Sequence, residues 1–128
     1  MAEAVVRELL IRSCHSSSEA VRELLSELSS PAFIDLLVRI AVDADDHGGD
    51  APMQAAYFLS RASPAHIRIH EKQLVALLNT ADGYSGHVAL ALGRIQSPEA
   101  KPIIANRLIE GWWPEHLYRE ALSLYEQT

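Results

Sequence analysis

Cysteine is almost missing. Cys14 stands alone, so no intrachain disulfide can form, and a reducing, cytoplasmic setting is the simpler expectation. Long apolar runs are missing too: none approaches the roughly 20 residues of a membrane span, and no membrane association is expected. The leading stretch MAEAVVRELLIRS is broken by Glu3, Arg7 and Glu8, so no signal-peptide core is expected. Basic charge is scarce, with 11 Lys and Arg against 17 Asp and Glu and a formal charge of −6. That balance repels nucleic-acid phosphates and suits a basic protein partner, or plain solubility. Gly-rich phosphate loops are absent, since GG at 48–49 and GYSG at 83–86 fit neither a P-loop nor a dinucleotide pattern. The β-branched residues fall at helical spacing, which leaves no convincing strand.

What is present is helical periodicity. Hydrophobic residues make up 48% of the chain, enough for one domain with a real core over residues 1–128. The apolar stripes predict eight helices in four pairs: 2–13 with 18–29, 32–45 with 51–61, 65–80 with 85–95, and 99–110 with 114–126. Ser18 is read as an N-cap of the second helix and Asp50 as that of the fourth, with Pro52 just inside it. Ser-Pro pairs or their like open the third, fifth and seventh helices, where a missing N–H costs little. Pro31, Pro64 and Pro98 lie 33 and then 34 residues apart. Each follows an apolar helix end (LLSELSSP, YFLSRASP, LALGRIQSP) and precedes another amphipathic helix. A fixed period with two helices per unit predicts an all-α fold, a short α-solenoid of four stacked hairpins.

The stretch Ala91-Leu92-Gly93-Arg94-Ile95-Gln96-Ser97-Pro98-Glu99-Ala100, followed by Pro102-Ile103-Ile104, resembles the HEAT-like repeat of the phycobilisome-lyase type. The match covers residues 86–109. At 55–78 Ser60 stands where the pattern has glycine, at 24–41 the match is weaker, and the N-terminal pair fits by helix length alone. The resemblance implies an α-solenoid and protein–protein binding, without implying lyase chemistry. Independently, Ala89, Ala91 and Gly93 are small residues on one helix that let a neighbour approach closely, which offsets the helix cost of a glycine.

In a stacked array the loops within hairpins gather on one edge and the turns between hairpins on the other. The turns (SSP, ASP, QSP) are short and chemically bland. The loops (CHSSS, DADDHGGD, ADGYSG, GWWP) contain no Lys or Arg. They place Asp43, Asp45, Asp46, Asp50 and Asp82 along one edge with Tyr84, Trp112 and Trp113, and Glu115 and Arg119 follow at the start of the last helix. Loops on a rigid scaffold hold function, and exposed aromatics make interface anchors. Adjacent tryptophans point about 100° apart, so one should be exposed while the other packs under the last hairpin. The reading is a non-catalytic module that binds one protein partner through this acidic, aromatic edge and the concave face, in the manner of a small inhibitor or immunity-type protein. The bland alternative makes the aspartates caps and solvated loop residues.

Other chemistries fit less well. The Asp43–Asp50 loop lacks the regular spacing and terminal Glu of a calcium loop. His70-Glu71 is similar to the His-Glu pairs of the di-iron HEAT-repeat hydroxylases, but the matching place in the next unit reads His87-Val88-Ala89 and Glu115-His116 reverses the order, so ligands do not converge. Cys14-His15 are sequence neighbours, which seldom gives a nucleophile its base. No cofactor is expected. An enzyme holding a small ligand near His70, His87 or His116 is one alternative. A nucleic-acid binder using Arg61, Arg68, Arg94, Arg107 and Arg119 is another, opposed by the net charge. Self-association through the terminal hairpins is the structural alternative.

Overall fold

A computed structural model describes residues 1–80 and 84–126. Among them there is no strand, and nine α-helices form: α1 (Glu3–Cys14), α2 (Ser18–Ser26), α3 (Pro31–Ala41), α4 (Asp50–Leu59), α5 (Pro64–Arg68), α6 (Glu71–Thr80), α7 (Ser85–Arg94), α8 (Ala100–Glu110) and α9 (Glu115–Ser123). Short 3₁₀ turns occupy Ala44–Asp46 and Leu124–Glu126. The count exceeds eight because the fifth helix breaks at Ile69–His70. The break lets His70 reach Asp35 on α3 at 2.7 Å and Arg68 donate to the Ile95 carbonyl at 3.1 Å. Those tertiary bonds compensate for an interrupted helical ladder.

Capping follows the expected chemistry with two shifts of position. Ser30 accepts from the Phe33 amide and Pro31 opens α3, as the Ser-Pro punctuation requires. The cap of α2 is Ser17, whose Oγ accepts from the Ala20 amide, and Ser18 is the first helical residue. Gly49 rather than Asp50 caps α4. A β-carbon at Gly49 would sit 2.3 Å from Asp46 Oδ1 and 3.1 Å from the Asp46 carbonyl oxygen, so the turn is closely packed there, and Asp50 is the first helical residue.

The predicted pairs pack: α1 on α2, α3 on α4, α6 on α7 and α8 on α9. Between pairs, α4 packs on α7, α7 on α9 and α6 on α8. At the N-terminus the order departs from the sequence pairing, because α1 rather than α2 provides the main packing against α4. The reason lies in the buried faces. Val6, Leu9, Leu10 and Ser13 of α1 are buried, against Ala20 and Leu24 of α2, so α1 has the wider face and serves two neighbours.

Small residues set the closest approach. A β-carbon at Gly93 would stand 2.7 Å from the Ala121 carbonyl oxygen on α9. Ala89 and Ala91 are buried on the same helix. The core beneath is built on Phe58, Tyr118, Leu10, Leu37 and Leu92, all fully buried.

Candidate protein-binding edge

The turns between hairpins, bland in sequence, are braced. Arg94 Nη1 donates to the carbonyls of Ser60 and Ala62 at 2.6 Å each, closing the end of α4. Gln96 donates to the Leu124 carbonyl at 3.0 Å, Tyr125 donates to the Ser97 carbonyl at 2.7 Å, and buried Ser97 donates to Glu71 at 2.7 Å. Burial, with the Glu71 charge adding to it, pushes the Tyr125 phenol up to about 12. These bonds tie the turns at 60–62 and 95–97 to their neighbouring helices.

The loops within hairpins touch in sequence. His15, after α1, lies with Nε2 3.1 Å from Asp50 of α4. His47, in the loop before α4, has Nδ1 3.2 Å from the hydroxyl of Tyr84, which precedes α7. A β-carbon at Gly86 would meet Pro114 and Leu117, at the start of α9. Residues 43–50, 84–86 and 111–114 therefore follow one another along one side. Asp82 lies outside the described residues.

The chemistry of that side differs from the sequence reading in three ways. First, it does hold a cation. Arg7 projects from α1 and binds Asp43 at 2.7 Å, Asp46 at 3.2 Å and Glu3 at 3.2 Å. Asp43 also accepts from the Asp45 amide at 3.0 Å. Two of the expected recognition acids are therefore partnered within the chain, as a buried or half-buried carboxylate requires. Arg7 carried no signal beyond its i+4 spacing from Glu3. Second, Tyr84 is no surface anchor: it is 2% exposed, spending its ring in the core and its hydroxyl on His47. Third, Glu115 and Arg119 pair with each other on the exposed first turn of α9, which satisfies both locally.

What stays available is narrower. Asp45 is exposed and has no ion-pair partner among the described residues. Asp50 shares its carboxylate with His15. The tryptophans divide into one covered and one exposed, as expected, although both lie in the non-helical segment between α8 and α9, so a helical offset is not the cause. Trp112 is half-buried with its ring 4.1 Å from the guanidinium of buried Arg107, and Trp113 is 80% exposed. Ile109, one turn earlier on α8, is also exposed. Gly111, at φ +77°, makes the turn between them, a conformation that favours glycine.

The potentially reactive groups are each engaged by, or suppressed in, their surroundings. Burial and then the Asp50 charge push the Cys14 thiol up, away from the nucleophilic thiolate. His70 is engaged by Asp35 and, at 3.3 Å, by Gln73. His87 meets the Tyr57 ring edge-on at 5.5 Å, and burial, then the neighbouring His116, hold its imidazole below the ordinary value of 6.5. Among the described residues no three His, Cys, Asp or Glu side chains are grouped to hold a metal ion, and no helix is long and apolar enough to cross a membrane. Of the arginines weighed for nucleic acid, Arg68 and Arg94 cap carbonyls, Arg107 lies under Trp112, Arg119 pairs with Glu115 and Arg61 bonds the Tyr57 hydroxyl. Comparison with family models, with curated proteins and with solved structures returns no significant match.

Proposed function

We propose that the chain is a non-catalytic protein-binding module, built as a short HEAT-like α-solenoid of four hairpins and acting in the cytoplasm on one partner. The repeat reading is supported by the 33- and 34-residue proline spacing and by the row of packed pairs α3–α4, α6–α7 and α8–α9. The observation that carries the binding reading is the succession of loop contacts, His15 to Asp50, His47 to Tyr84 and Gly86 to Pro114, with Trp113 standing free at its end. A large aromatic exposed on a rigid, polar-rimmed edge is the usual form of a binding hot spot. The net charge of −6 steers a basic partner toward it. One edge on a domain of this size favours a single partner, as a small inhibitor or immunity-type protein would have.

The test is affinity capture from native lysate with wild type, Trp113→Ala and Asp45→Asn. Both residues are exposed, and among the described residues neither makes an ion pair, so their substitution is expected to leave the fold intact. Loss of one specific protein with Trp113→Ala supports the edge. Equal recovery of every captured protein by all three forms removes it.

A further inference from the structure

We propose that the outer face of α3 around Asp35 and Arg39, together with Ile69, is where a second copy of this chain docks in an antiparallel twofold pair. This face is separate from the proposed recognition edge. The pairs on either side of it are joined through α4 and α7, whereas α3 and α6 flank an open groove. The groove has a volume of about 460 Å³ at the Asp35 end, where Val38, Val42 and Ile69 line it, and continues over Ala76 and Leu77. Ile69 stands at its edge, 75% exposed, at the break between α5 and α6. A large aliphatic side chain so placed gains from being covered.

The charges beside it select the occupant. Asp35 and Arg39 lie one helical turn apart on α3, 57% and 65% exposed. Both keep unused capacity. Asp35 gives one oxygen to His70, and among the described residues Arg39 is paired with Glu3 alone, at 3.6 Å. The rim is thus one acid and one base, with no advantage for a strongly basic or strongly acidic segment. It is complementary to itself. Two antiparallel copies of α3 set Asp35 of each opposite Arg39 of the other, and the two Ile69 side chains meet near the axis, the isologous arrangement of a twofold dimer.

Sedimentation velocity over about 1 to 500 µM protein, at salt near 0.15 M, reads the association directly. The expected result is a monomer–dimer equilibrium in wild type. Ile69→Asp abolishes it. Arg39→Asp raises the dissociation constant by about tenfold or more, because like charges then face each other, and the double change Asp35→Arg with Arg39→Asp recovers most of that loss. Val5→Asp, on the exposed side of the terminal helix α1, leaves the dimer unchanged. Thermal melts by circular dichroism confirm that each variant is folded. A wild type that stays monomeric over the whole range overturns the proposal, as does a dimer that Val5→Asp dissociates and Ile69→Asp does not.

Discussion

Gly93 of α7 lies against the backbone of α9 at Ala121, so closely that a β-carbon would come within 2.7 Å of the carbonyl oxygen and 3.2 Å of the α-carbon. The obstruction is main chain and cannot rotate aside. Alanine is the better helix former by roughly 1 kcal/mol, yet overpacking costs about 1–3 kcal/mol. Gly93→Ala is therefore expected to destabilise, with α9 displaced, and urea titration measures the sign. A more stable Gly93→Ala would show that the two helices do not pack as described.

Arg94 is expected to matter more than its half-exposed position suggests. It supplies two carbonyls at the end of α4 with short charge-assisted bonds. Arg94→Met leaves both without that donor, a cost of about 1–3 kcal/mol. Lysine, a single point donor, should recover only part of it. Chemical denaturation of the three forms gives the comparison.

Acidification acts through His87. Its folded-state pKa is lowered by burial and by His116, so as pH falls through 6.5 the unfolded chain takes up the proton first. Stability from keeping this ring neutral is present above that pH, is lost on the way down, and levels off once the folded form protonates as well. His87→Gln should be more costly at about pH 8 than at about pH 5. Urea midpoints that differ by the same amount at both pH values would contradict this.

The opposite limb belongs to Tyr125. Its folded-state pKa is raised, to about 12, so its contribution is whole below pH 10 and is lost between there and about 12. Tyr125→Phe removes the bond to the Ser97 carbonyl and should cost about 1 kcal/mol near neutrality. Ultraviolet titration of the phenolate, wild type against Tyr125→Phe, isolates the late-titrating tyrosine.

Arg7 is expected to order the loop it holds. Arg7→Gln frees Asp43 and Asp46 together, and the Asp46 and Gly49 amides, bonded within that turn to the Asp43 and Asp46 carbonyls, should exchange faster with deuterium. Exchange confined to α1 and unchanged at 46–49 would mean that the turn holds itself.

Much of this molecule was legible in its residues because the signals are local. Stripes such as Phe33, Ile34, Leu37 and Ile40 specify a helix and its buried side within one window, Pro31 and Ser30 specify where it begins, and the run Ala89, Ala91, Gly93 announces a close neighbour. The different exposure of Trp112 and Trp113 is set in the non-helical segment after the left-handed turn at Gly111, not by helical spacing. What lay beyond reach depends on side chains brought together from far apart in the chain. Arg7 meets Asp43 and Asp46 across 36 and 39 residues, and Tyr84 turns inward although it sits in a polar loop. The choice of α1 over α2 as partner for α4 was decided by which face buries more apolar surface once the helices compete for the same neighbour. Helix formation is governed by residues within a few positions of one another, while the charge and exposure of an edge are governed by whatever the packing carries to it. The sequence by itself therefore determined the all-helical character and most of the helix punctuation. Only the tertiary structure decided which acids are neutralised and which aromatic remains free.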